Sequence, residues 1–93
     1  MKKYLESEIK DKLSSFEGWT YKDQGIEKEF QFKDFIQAMG FLNQLALHAE
    51  KANHHAEIFN VYNKVRIRLS THDAGGVTDK DFHLASKIEN IHS

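Results

Sequence analysis

The sequence predicts an α+β fold: a four-stranded antiparallel sheet covered by helices, in the order α-β-β-α-β-β-α. Three observations carry this prediction. Apolar residues recur every three or four positions in three separate stretches, which is the period of a helix buried on one face. Between those stretches lie two pairs of short segments rich in β-branched and aromatic residues, where apolar and polar positions alternate. Each pair is divided by a few turn-forming residues, so each reads as a hairpin, and hairpins interleaved with helices build an antiparallel sheet with helices packed on it.

Leu5, Ile9, Leu13 and Phe16, with Lys and Glu between them, predict the first amphipathic helix, and Gly18 supplies its stop. Trp19-Thr20-Tyr21 predicts a short strand, Asp23-Gln24-Gly25 a turn, and Ile26, Lys28, Phe30 and Phe32 one face of a second strand in which Lys28 is the exception. Asp34 caps the longest helix, from Phe35 to about Ala52, which is free of proline and rich in Leu, Ala, Met and Gln. Its main apolar stripe is Phe35, Ala38, Met39, Leu42, Leu45, Ala46 and Ala49, with Ile36, Phe41 and Leu47 off it. A helix apolar on two sides must bury two sides, one against the sheet and one against a second subunit, where Gly40 would permit close approach. The second hairpin places Ile58, Phe59, Val61 and Tyr62 before a turn at Asn63-Lys64, and Val65, Ile67, Leu69 and Thr71 after it. A loop, His72-Asp73-Ala74-Gly75-Gly76, leads to Thr78-Asp79-Lys80-Asp81, a capping box with Asp for Glu, and then to a helix carrying Phe82, Leu84, Ala85, Ile88 and Ile91.

The 93 residues predict one domain, 1–93, with no linker, repeat or low-complexity segment, and so small a domain gains from oligomerisation. Cysteine is absent, which excludes disulfides, thiolate zinc sites and a cysteine nucleophile. Thirteen basic against fourteen acidic residues leave a net charge of -1, so direct nucleic-acid binding is not expected. The charged start, Met1-Lys2-Lys3-Tyr4-Leu5-Glu6, does not read as a leader, and no apolar run is long enough to span a membrane. A cytoplasmic location is the resulting expectation. Six histidines stand out, because the unperturbed imidazole exchanges protons near neutral pH.

The densest cluster of titratable groups is Glu50, His54 and His55 at the end of the long helix, with His72 leaving the last strand. Glu50 and His54 are four apart, so a helix continuing that far places the carboxylate where it can orient the imidazole. His72 could then face His54 across a cleft, and two imidazoles at one cleft suit a reaction that protonates one atom and deprotonates another. The same residues could instead cap helix carbonyls or stand solvated in a loop. A zinc site is a further option from donor type, although neither His-Glu-x-x-His nor paired cysteines are present. His48, His83 and His92 fall within helical stretches and are assigned no role.

The run Glu50-Lys51-Ala52-Asn53-His54-His55, then Phe59-Asn60-Val61-Tyr62-Asn63-Lys64-Val65, Ser70-Thr71-His72-Asp73 and Asp81, resembles the signature of the pterin-4a-carbinolamine dehydratases. Phe32-Lys33-Asp34-Phe35, Gly40-Phe41 and Leu84-Ala85-Ser86 extend the resemblance over about residues 16 to 90. It implies dehydration of a 4a-hydroxytetrahydropterin, such as 4a-hydroxytetrahydrobiopterin, to the quinonoid dihydropterin, without a cofactor or metal. It also implies catalytic roles for His54 and His72, substrate binding by His55 and Glu50, and a supporting Asp81. A homotetramer is implied too, and a protein partner for some members, since related proteins act as a dimerisation cofactor of a homeodomain transcription factor or as assembly factors. A non-catalytic binding role is therefore the alternative. Where the family commonly has proline and tryptophan, this chain has Ala56 and Ile58, changes expected to alter affinity more than proton transfer.

Overall fold

In the computed structural model, which describes residues 2–92, the order is α1 (Glu6–Leu13), β1 (Thr20–Lys22), β2 (Gly25–Gln31), α2 (Phe35–Ala52), β3 (Glu57–Val61), β4 (Lys64–Leu69) and α3 (Asp79–His92). Met1 and Ser93 lie outside the described residues. The strands form one antiparallel sheet in the order β1-β2-β4-β3, so the α+β architecture read from the sequence is borne out.

One face of the sheet is dry and the other is wet. Ile26 and Phe30 of β2 and Val65, Ile67 and Leu69 of β4 are buried with Ala38, Phe41, Leu45 and Ala49 of α2 and Phe82, Leu84, Ala85 and Ile88 of α3. Burying each of the larger of these side chains contributes roughly 1.5–3 kcal/mol, which is why the pleat keeps its register. On the opposite face the register sets Glu27 against Arg68 and Glu29 against Arg66. Arg68 bridges Glu27 and Glu57 there, each at 3.4 Å. Its guanidinium also donates to the Lys22 and Asp23 carbonyls, and a Cβ on Gly25 would stand 2.6 Å from its central carbon. A side chain at Gly25 would therefore displace the guanidinium from these bonds.

Lys28, the exception to the alternation, is the key to a small polar insert at the edge of the core. Its ammonium donates to the Glu89 carboxylate at 2.8 Å and to the Glu17 carbonyl at 2.9 Å, while the Trp19 indole donates to the same Glu89 oxygen at 2.9 Å. A half-buried cation satisfied in this way breaks the pattern without breaking the strand.

Three expectations change. Phe41, placed off the core stripe of α2, is only 4% exposed and packs its ring against Phe30 and Phe32 with centroids 5.0 Å apart. The buried line is Ala38, Phe41, Leu45 and Ala49, which leaves Phe35 and Met39 exposed beside Ile36 and Leu47. The second turn is Tyr62-Asn63 rather than Asn63-Lys64, because Lys64 already pairs with Val61 and Gln31. Tyr62 takes a left-handed backbone at φ 52°, and the Asn63 amide is drawn off to donate to the Phe32 carbonyl at 2.9 Å. Finally, α1 stops at Leu13, and Phe16 lies in the following turn, where its ring still packs on Phe82 at 5.5 Å.

Candidate active site

The site begins where α2 ends. Asn53 adopts a left-handed conformation at φ 51°, and the His54 N–H reaches back to the Ala49 carbonyl at 3.0 Å, closing the helix in the Schellman manner. This turns the chain toward β3. Glu57 pairs with Arg68, so continuing that register outward brings His54 level with Thr71, two residues beyond β4. Adjacent residues of an extended chain point to opposite faces, which sends His54 toward the helices and His55 toward the wet face.

His54 is 8% exposed, and its Nε2 lies 2.6 Å from Oδ1 of Asp81, in the first turn of α3 and 0% exposed. The other Asp81 oxygen accepts from the Thr71 hydroxyl and from the Thr78 N–H, both at 2.9 Å. The Thr71 and Thr78 hydroxyls are 2.6 Å apart, and the Thr78 hydroxyl accepts from the Lys80 N–H at 3.2 Å. These contacts have one consistent proton assignment. Thr71 donates to Asp81, Thr78 donates to Thr71, and Asp81 accepts every bond it makes, as a carboxylate does. With Asp81 as the acceptor, the shared proton of the His54 pair sits on Nε2, and the neutral form of the ring then has its lone pair on Nδ1. No hydrogen bond among the described residues occupies that atom. Beside the ring opens a cavity of about 390 Å³ lined by Ala52, His54, Asp79, Lys80 and His83.

Glu50 does not meet His54, as the four-residue spacing predicted. Its carboxylate pairs with Nε2 of His55 at 2.5 Å, with both side chains exposed, because the helix ends at Ala52 and Asn53 diverts His54 from the helical path. Asp81 takes the orienting place instead: it is at once the capping partner of Thr78 and the anchor of His54. His72 directly follows Thr71 and opens a single 3-10 turn, His72–Ala74, closed by Gly75 at φ 72°. Its ring is exposed, with no hydrogen bond or ring contact to His54 or to any other described residue. The two threonines were missed from the sequence, although the capping box that contains Thr78 was the available signal.

Among the described residues, no three His, Cys, Asp or Glu side chains are grouped so as to hold a metal ion, and no helix is long and apolar enough to cross a membrane. Ala56 packs partly against the core, while Ile58 is half-exposed opposite Ile67.

Residues 2–91 match the family described as Pterin 4 alpha carbinolamine dehydratase. The chain belongs to that family. Relatives carrying the provisional name pterin-4-alpha-carbinolamine dehydratase include one from Christiangramia forsetii, 50% identical over 98% of this chain and 94% of its own length. Another, from Sulfurisphaera tokodaii, is 47% identical over 98% of each. The crystal structure of a transcriptional coactivator/pterin dehydratase from Brucella melitensis superposes with a TM-score of 0.94 at 43% identity, covering 98% of this chain and 99% of that one. A pterin dehydratase-like protein described as a RuBisCO assembly factor of the alpha-carboxysome has a TM-score of 0.66 at 22% identity, over 78% of this chain and 84% of its own, and shares the fold alone.

Proposed function

We propose that this chain is a 4a-hydroxytetrahydropterin dehydratase, with 4a-hydroxytetrahydrobiopterin as the representative substrate. The observation that carries the reading is the buried Asp81 carboxylate held against Nε2 of His54, which leaves Nδ1 without a hydrogen bond among the described residues, in a chain of this family. The reaction breaks the C4a–O bond and the N5–H bond of the pterin. His54 Nδ1 accepts the N5 proton, the N5 electron pair forms the N5=C4a double bond, and the hydroxyl leaves as water with a proton supplied by His72. General acid and general base catalysis are each worth typically about 10² to 10⁴-fold, so the pair accounts for substantial acceleration without a cofactor. His55, steadied by Glu50, binds the pterin from the wet face, and Asp81 acts through His54 as a positioning residue.

The surface of α2 supports assembly as part of this reading. Ile36, Met39 and Leu47 remain exposed on α2, and a Cβ at Gly40 would meet nothing within 4 Å, so this face is open to a second copy and supports a homotetramer. The same face supports the second reading, a non-catalytic protein-binding role, which the description of the Brucella melitensis relative as a transcriptional coactivator favours. The deciding measurement is the decay of freshly generated 4a-hydroxytetrahydropterin, followed by absorbance with and without the protein. Acceleration over buffer is expected; decay at the buffer rate would remove the catalytic reading and leave the binding one.

A further inference from the structure

Between α2 and α3 lies a cleft of about 340 Å³ lined by His48, Lys51, Ala52, His83, Leu84 and Lys87. The spacing explains it. His48, Lys51 and Ala52 stand at i, i+3 and i+4 on one helix, and His83, Leu84 and Lys87 at i, i+1 and i+4 on the other, so each helix turns a basic edge to its neighbour. None of the lining residues is acidic. Facing like charges repel, and the chain resolves this elsewhere: half-buried Lys28 is paired with Glu89 at 2.8 Å, and Arg68 with Glu27 and Glu57. Here it does not. His48 and Lys87 are half-buried, yet neither they nor Lys51 and His83 make a side-chain hydrogen bond or ion pair with any described residue. The carboxylate on the adjoining wall, Asp79, is engaged by the Tyr4 hydroxyl.

We propose that this cleft is a binding site for a compact phosphate-type anion, held between the Lys51 and Lys87 ammonium groups with the His48 and His83 imidazoles as further donors. Ammonium groups offer three donors each, and a phosphate accepts several at once, which satisfies cations that the protein leaves unmatched. The cleft shares Ala52 and His83 with the cavity that opens on His54, where Lys80 adds another cation. Ala52 and His48 are four residues apart on one helix face, about 6 Å along its axis, a distance that a three-carbon side chain ending in a phosphate spans. The phosphate can therefore come from either of two sources: the side-chain terminus of a pterin bound at His54, an option that rests on the dehydratase reading, or a free phosphate ester.

The test uses the full chain, isotope-labelled for NMR and titrated with inorganic pyrophosphate while the His48 and His83 ring signals are followed. Saturable shifts of both are expected, with affinity reduced at least about tenfold in the Lys51→Gln/Lys87→Gln double variant and weakened by added salt. Absent shifts, or equal affinity in a double variant whose circular dichroism matches the parent, would overturn the proposal. A second arm compares turnover of 4a-hydroxytetrahydropterins with neutral and phosphate-terminated side chains. A preference for the phosphorylated substrate that disappears in the double variant, with the neutral rate unchanged, identifies the source as the substrate. Equal turnover of the two alongside pyrophosphate binding identifies it as a free phosphate ester. Pyrophosphate binding with no turnover of either substrate supports the anion site while removing the dehydratase reading.

Discussion

Replacing Asp81 with asparagine tests the proposed mechanism at its most buried point. Asparagine keeps the size and one acceptor oxygen, which can still receive the Thr71 hydroxyl and the Thr78 N–H now bound to Oδ2 at 2.9 Å. Its amide must then face His54 where Oδ1 now stands at 2.6 Å. An amide NH₂ donates, so Nε2 has to accept and the ring proton moves to Nδ1, the atom assigned to take the N5 proton. The base is lost although no atom of His54 has been removed. We expect kcat to fall about 10² to 10⁴-fold, the range for a misdirected general base, with KM nearly unchanged. Stability should fall modestly, because every group keeps a partner and only the charge-assisted strength is lost, about 1–2 kcal/mol. That corresponds to a fall in Tm of roughly 5–15 °C for a domain of this size. Asp81→Ala is the weaker experiment, since stranding the buried partners costs about 3–5 kcal/mol and confounds rate with folding. Steady-state dehydration kinetics and thermal circular dichroism on the same preparation give both numbers. An Asp81→Asn protein with parental kcat would refute the tautomer argument and leave Asp81 a purely structural residue.

The remaining predictions concern the other histidines, the surface of α2 and the amino-terminal tyrosine. His54→Ala and His72→Ala should each lower kcat by about 10² to 10⁴-fold, whereas His55→Ala should chiefly raise KM; the opposite split would exchange their roles. Leu47→Asp, at a position 73% exposed, should dissociate the proposed oligomer while keeping the fold, and a parent already monomeric by light scattering after size exclusion would refute the assembly reading. Phe41→Asp should unfold the chain instead, because it puts a charge among packed rings. Tyr4 has its pKa raised, first by the hydrogen bond to Asp79 and then by burial and by the charges of Asp79 and Glu8. A raised folded value means that this stabilisation is complete below the ordinary tyrosine pKa near 10 and is lost as pH rises through the folded value. Alkaline unfolding curves of the parent and Tyr4→Phe should therefore converge at high pH, and a constant gap between them would contradict the assignment.

Periodicity made the elements legible. It placed the start of the helix Phe35–Ala52 on its first residue and the end close by, because Asp34 is a capping residue with a long helical pattern behind it. It could not say which of two apolar stripes on that helix meets the sheet, since both have the helical period, and so Phe41 was assigned to the wrong side. The candidate histidines were visible for their type and clustering. Their partners were not, because pairing depends on where one residue turns left-handed. Asn53 looks like an ordinary helix ending in the sequence, yet its φ of 51° decides that Glu50 reaches His55 and not His54. The bond between His54 and Asp81 joins residues 27 apart in the chain, a separation at which local pattern carries no information.

The Asp81 carboxylate also governs how the site can move. It joins the segment leaving α2, the end of β4 and the first turn of α3 through side chains that are themselves buried. Freeing the His54 ring thus means parting three pieces of chain that the core already holds together. An excursion of that kind belongs with sub-global unfolding and not with the rapid flicker of a surface loop. On the proposed dehydratase reading the imidazole is the fixed group of the site, and the adaptability needed to admit and release a ligand would fall to the exposed His72 turn and the Glu50–His55 pair on the other side.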